Sequence, residues 1–292
     1  MRTFLLSMLV AAAASAQQDF SRVEIKATKV AGNVFFLKGS GGNIAASAGE
    51  DGVAIVDDQF APLSPKIHAA LAQLSPKPVK FVLNTHWHFD HTGGNANFAD
   101  TATIFAHENV RKRMQKGATI LGMVVEPAAP AALPVVTFEQ GLSLWWNGEE
   151  IRAIHTAPGH TDGDAVIWFT RSNVVHMGDD FVTYGFPFVD LKSGGSVTGL
   201  IKALDSILPQ IPKDAKIIPG HGEVSTVDDV RKFRSALAEM VSVVRKGLKA
   251  GKTVEQLQKD HVLAAWDSWG GKNKFVSAED FIAVIAEDLA KK

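Results

Sequence analysis

The sequence predicts a layered fold of sheets covered by helices, α/β or α+β in class. Two observations carry this. Short β-branched or aromatic apolar runs alternate with stretches of helical periodicity along the chain. In addition, 46% of the 292 residues are hydrophobic and none is cysteine, so a large core is available and no disulfide scaffold or thiolate chemistry is.

Taken in order, the chain opens with MRTFLLSMLVAAAASA, where Arg2 precedes an apolar stretch and Ala14-Ser15-Ala16 supplies the small-x-small pattern that a signal peptidase accepts. Residues 1–16 are expected to be a secretory signal peptide. The apolar run is shorter than the roughly 20 residues a spanning helix needs. The expected product is secreted, periplasmic in a Gram-negative cell, and not held in the membrane after cleavage. No charged or Ser/Gly-rich linker divides the rest, so residues 17–292 are expected to form a single domain with a C-terminal helical extension.

Strands are expected over 34–37, 53–56, 79–83, 103–106, 151–154, 165–169, 173–177 and 216–218, each a short apolar run bounded by polar residues or glycine. Helical periodicity marks 64–74, 107–115, 197–208, 227–249 and 277–291. Thr253 with Gln256 has capping-box spacing, and Ser277 with Asp280 repeats it with a shorter acid. The Pro- and Ala-rich stretch 127–134 interrupts this rhythm and reads as an extended surface loop, either a lid or a spacer. With 30 Lys+Arg against 31 Asp+Glu and no long run of one sign, nothing suggests a nucleic-acid surface. A small-molecule partner fits better. Oligomeric state is not legible.

Chemistry concentrates in Thr85-His86-Trp87-His88-Phe89-Asp90-His91-Thr92-Gly93-Gly94, directly after the apolar run 81–83. On extended backbone, residues two apart share a side, so His86 and His88 can reach one ion while Trp87 faces away. Asp90 and His91 then sit on a turn that Gly93 and Gly94 allow to fold tightly, offering a second pair of donors. A shuffled chain of this composition would show the pattern about once in a thousand. Three later segments place a ligand-type residue beyond an apolar run and beside glycine: His160 in PGHTDGD, Asp179 in HMGDD and His221 in PGHG.

With these residues the sequence resembles the metallo-β-lactamase superfamily over about residues 34–222. The resemblance implies an αββα four-layer sandwich with metals at one edge. It implies that His86, His88 and His160 bind one ion, that Asp90, His91 and His221 bind a second, and that Asp179 bridges both. The best-known antibiotic-degrading subclass places a cysteine where Asp179 stands, so the chain looks more like thioester- and lactone-cleaving relatives. It also lacks a lysine three residues beyond Asp179, which leaves Lys192 as the candidate for holding a substrate carboxylate.

The resemblance implies a dinuclear hydrolase in which a shared water, acidified by the ions, opens an amide, lactone, thioester or other ester, β-lactams included. Asp90 is the expected catalytic residue, binding through one oxygen and handling the water's proton through the other. Imidazole and carboxylate donors suit two zinc ions and also admit manganese or iron. Asp57, with Asp58 as its rival, resembles the aspartate that holds the far nitrogen of a ligand histidine, and Thr161 is a candidate for supporting His160. Phe60, Trp87, Tyr184, Phe186 and Phe188 are candidates for an apolar substrate wall. Two other classes compete. One is a mononuclear-iron sulfur oxygenase or another redox relative of this fold, although His88 speaks against the diiron reductases. The other is a non-catalytic, metal-stabilised binding protein.

Overall fold

Apolar runs without polar alternation become strands covered on both faces, and two stacked sheets provide those faces. The computed structural model describes residues 19–120, 122–270 and 275–291, so the expected signal peptide lies outside the described residues. The first sheet contains β1 (Lys26–Ala31), β2 (Val34–Lys38), β3 (Ile44–Ala48), β4 (Val53–Val56), β5 (Val79–Leu83) and β6 (Thr103–His107). After a separate hairpin of β7 (Ala118–Ile120) and β8 (Met123–Val125), β9 (Val136–Phe138) completes it. The second sheet runs β10 (Gly141–Trp146), β11 (Glu149–His155), β12 (Ala165–Phe169), β13 (Val174–His176), β14 (Lys216–Ile218) and β15 (Ser225–Thr226).

Side-chain alternation assigns the layers. In β4, Ala54 and Val56 face a core shared with Ile151, Ala153, Ile167 and Phe169 of the second sheet. Val53 and Ile55 face the opposite way, onto Leu63, Ile67 and Leu71 at α1 (Ser64–Ala72). In β12, Ala165, Ile167 and Phe169 point into the inter-sheet core while Val166 joins the outer one. The remaining helices are α2 (Phe89–Thr92), α3 (Asn95–Phe98), α4 (Glu108–Lys116), α5 (Val197–Ile207), α6 (Val227–Lys249), α7 (Val254–Lys259) and α8 (Ala278–Ala290). Residues of α5, α6 and α8 cover the second sheet's outer face, which gives the helix, sheet, sheet, helix order. Among the described residues, no helix is long and apolar enough to cross a membrane.

Strand direction positions the site. β4 and β5 are parallel, as are β13 and β14, so within each sheet the loops after these strands leave from one edge. β11 and β13 both pair antiparallel with β12, so the loop after β11 leaves at the same edge as the loop after β13. Asp57 follows β4, His86 follows β5, His160 follows β11, Asp179 follows β13 and His221 follows β14.

Every expected strand and helix forms, with ends shifted by a few residues, and both expected capping boxes close at Thr253–Gln256 and Ser277–Asp280. Reading by apolar runs misses β1, β3, β10 and the short strands β7, β8, β9 and β15. β3 is Ile-Ala-Ala-Ser-Ala, buried at all five positions, and its alanines carry no strand signal until sheets cover them. The 127–134 stretch is tied down: the Ala128 amide donates to the Met114 carbonyl, Asn95 donates to the Ala132 carbonyl, and Leu133 packs in the cluster of Trp87 and Val110.

Candidate metal centre

Beyond β5 the backbone leaves extended geometry. Residues 85–87 form a bend, His88 caps α2, and Asp90 and His91 lie within that helix. His86 and His88 therefore converge through different ring atoms rather than by strand alternation. Gly93 and Gly94 adopt ordinary right-handed torsions; their contribution is close approach, since a Cβ on Gly94 would stand 2.7 Å from the Asp58 carbonyl oxygen. Trp87 does face away, 2% exposed, into the cluster of Ala106, Val110 and Met114.

The structure brings all seven predicted ligands together. Three groupings have donor atoms within 4.8 Å of one another: His86, His88 and His160; His86, His91 and Asp179; Asp90, His91 and His221. His88 Nδ1 and His160 Nε2 are 2.8 Å apart. His91 Nε2 lies 3.3 Å from His221 Nε2, 3.3 Å from Asp179 Oδ1 and 3.8 Å from Asp90 Oδ2. His221 Nε2 lies 3.3 Å from Asp90 Oδ2 and 3.5 Å from Asp179 Oδ2. These separations surround the value of about 3.4 Å expected between donors on a tetrahedral ion with bonds near 2.1 Å. Asp179 Oδ2 also stands 3.6 Å from His160 Nε2, so one carboxylate touches both groups.

Outer hydrogen bonds aim the lone pairs inward. Asp57 Oδ2 accepts from His91 Nδ1 at 2.7 Å and from the Thr85 hydroxyl at 2.7 Å. Having given its proton to Asp57, the Thr85 oxygen accepts from His86 Nδ1 at 3.0 Å. His160 Nδ1 donates to the Phe188 carbonyl at 2.7 Å, and His88 Nε2 to Asp190 Oδ2 at 3.1 Å. Four histidines thus have their outer ring nitrogen held and turn the other one to the centre. Among the described residues, the buried His86 Nε2 and Asp179 Oδ1 make no hydrogen bond, Asp179 Oδ1 having only the 3.3 Å approach of His91. Converging donor atoms and buried acceptors left without hydrogen bonds are what a bound cation would satisfy, so these residues fit a divalent metal.

Charge differs across the centre. Burial, then neighbouring imidazoles, hold His86 well below the ordinary histidine range; burial also brings His160 down to about 4. Burial opposes charging of His221 as well, but Asp179 and Asp90 overcome it and raise the group to about 9. His91 is likewise raised, by Asp179, Asp90 and Asp57 against burial. Asp90 stays ionised at about 2, because His91 and His221 outweigh its burial.

Of the two adjacent aspartates, Asp57 holds His91, whereas Asp58 accepts the Gly94 amide at 2.8 Å. Asp57 takes a positive φ of 61°, a costly conformation for a side-chain-bearing residue that turns its carboxylate under the loop. Thr161 does not support the His160 ring. Its amide and hydroxyl donate to Asp164, closing the turn. Below that turn, Asp180 accepts from the Thr156 hydroxyl at 2.8 Å, and burial raises Asp180 to about 6.

Two of the candidate wall residues are core instead: Trp87, and Phe186, which is 1% exposed against Phe281. Tyr184 has its ring 5.8 Å from His221, and Phe188 lies 5.9 Å from His88. Phe60 packs between Phe20 and Phe89. Lys192 is not among the donors; it lines a separate cleft of about 420 Å³ with Arg113 and Lys116. Asp190 and the Phe188 carbonyl were not legible as histidine partners. The only signal for Asp190 is its position before Leu-Lys-Ser, where it caps a short turn.

The family model described as Metallo-beta-lactamase superfamily matches residues 29–235. A probable metallo-hydrolase of Methanocaldococcus jannaschii is 30% identical over 158 residues, 51% of this chain and 72% of the relative. A hydroxyacylglutathione hydrolase of Pelagibacter ubique is 26% identical over 144 residues, 49% of this chain and 52% of the relative, so the match spans about half of that enzyme. A solved metallo-beta-lactamase from Pontibacter korlensis superposes with a TM-score of 0.61 at 16% identity, covering 74% of this chain and 99% of that one, a likeness of fold.

Proposed function

The chain belongs to the metallo-beta-lactamase superfamily of metal-dependent hydrolases, and from that premise we propose that it is an exported, dinuclear zinc hydrolase. Its substrates are small molecules with an amide, lactone, thioester or other ester bond, β-lactams forming one arm of the class. One observation carries the reading: two groups of donors, one of imidazoles and one of imidazoles with a carboxylate, share Asp179. Five imidazoles and two carboxylates without a thiolate suit zinc.

Divalent ions held there would supply Lewis acidity, drawing a water's pKa from about 15.7 towards 7 and polarising a carbonyl. The protein supplies position and charge. Asp90 directs Oδ2 towards His91 and His221. As an ionised carboxylate it takes the attacking water's proton at Oδ1. Asp57, Thr85, Phe188 and Asp190 keep four imidazoles from rotating as charge develops. Export rests on the Arg2 to Ala16 segment.

The test combines metal analysis of purified protein with a panel of chromogenic β-lactams, lactones, thioesters and aryl esters. About two zinc equivalents and turnover that a chelator abolishes and zinc restores are expected. One iron with oxygen consumption would replace this reading by the redox one. Metal-dependent melting without turnover would leave a binding protein.

A further inference from the structure

The aromatic side of the centre is completed from beyond residue 235, where the family match ends. Phe275, which precedes α8, packs edge-on against Tyr184 with centroids 6.0 Å apart and against Phe188 at 5.8 Å. Those rings in turn adjoin ligand imidazoles: Tyr184 at His221, 5.8 Å away, and Phe188 at His88 and His160, 5.9 and 5.8 Å away. Phe275 nevertheless remains 59% exposed, so an apolar face continues from the ligand rings into solvent.

The neighbouring segment is anchored. A Cβ on Gly185 would stand 2.0 Å from the Trp269 carbonyl oxygen, so only glycine admits this approach. Trp269 stacks on Phe233 at 5.7 Å, and Phe281 of α8 stacks on Phe186 at 5.3 Å. The C-terminal extension thereby grips the loop that carries Tyr184 and Phe188.

We propose that Tyr184, Phe188 and Phe275 form a subsite for the apolar acyl group beside the scissile bond, with Phe275 setting the preference for chains longer than a short acyl unit. A substrate would place its polar reacting group among the imidazoles and extend its alkyl or aryl portion along the three rings, removing the exposed face of Phe275 from water. The kinetic arm of the test rests on the hydrolase reading; the binding arm does not.

Phe275→Ala and Phe275→Leu, in zinc-loaded protein, are to be compared with the parent on 4-nitrophenyl acetate and 4-nitrophenyl octanoate. In Phe275→Ala, kcat/KM should fall about tenfold for octanoate and stay within about twofold for acetate, with Phe275→Leu between. In parallel, calorimetric titration with octanoate and acetate should show octanoate alone weakened, by about tenfold. Equal changes with both chain lengths, no change with either, or octanoate binding the parent no better than acetate would overturn the subsite. If neither these esters nor any substrate of the panel turns over while octanoate affinity still depends on Phe275, the hydrolase reading fails and the subsite stands.

Discussion

His86, His88 and His160 are at most 5% exposed and include no carboxylate, whereas the side chains of Asp90 and His221 are 23% and 25% exposed. The first group is closed, with every outer nitrogen taken up by Thr85, Asp190 or the Phe188 carbonyl. The second is open on one side and combines an anion with two imidazoles held above their ordinary range. The contrast implies a division of labour. A closed cage of imidazoles, with the shared Asp179 at its edge, favours retention of an ion, and an open group with a second carboxylate of its own favours exchange of ligands and access of substrate.

The most severe way to separate the groups is Asp90→Asn. It keeps the side chain's size but removes the carboxylate, so turnover should fall by about a thousandfold while the ion of the closed group stays bound. Kinetics with metal analysis on one preparation checks this; near-normal rates would remove Asp90 from the chemistry. A smaller effect should distinguish the supports. Asp190→Asn alters the carboxylate that holds His88, leaves an amide oxygen to cap the turn at Lys192 and Ser193, and should weaken the closed group about 10- to 100-fold, whereas Asp57→Asn acts on His91 directly and should weaken the open group. Chelator competition resolves the two affinities, and identical profiles for both variants would erase the distinction.

The mildest test uses pH. In metal-free protein His221 is raised to about 9, so its proton stabilises the fold fully below about pH 6.5, and this contribution is lost as pH rises through about 9. An ion entering the open group must displace the protons of His221 and of the likewise raised His91, so its affinity should rise at least about tenfold per pH unit up to about 9. His160, lowered to about 4, imposes no such dependence on the closed group near neutrality. Dialysis near pH 6 should leave about one equivalent and near pH 8.5 about two; simultaneous loss of both ions would contradict the asymmetry.

Legibility followed the range of the interactions. The loop from His86 to His91 was readable because donors one to three residues apart are constrained by local backbone, even though the backbone proved to be a bend and a helix turn rather than a strand. Trp87 facing away followed from the same local reasoning, while its place in the core depended on α4. Lys192 is the lysine that the segment after Asp179 contains, and its presence there says nothing about the direction of the turn that carries it towards Arg113.

The sequence by itself determined the strand runs, the capped helices and the identity of the ligand-type residues, because apolar patterning, capping spacing and donor chemistry reside in neighbouring residues. Only the tertiary structure decided which of Asp57 and Asp58 holds a histidine, since one positive φ separates them. It also decided that Asp190 meets His88 across 102 residues, that a backbone carbonyl rather than Thr161 orients His160, and that Phe275 reaches the aromatic wall. The physical reason is that these contacts join segments distant in sequence that meet only once the sheets and helices are packed. A carbonyl acceptor has no residue type, and the side of a loop that faces the centre is fixed by the sheets and helices packed around it.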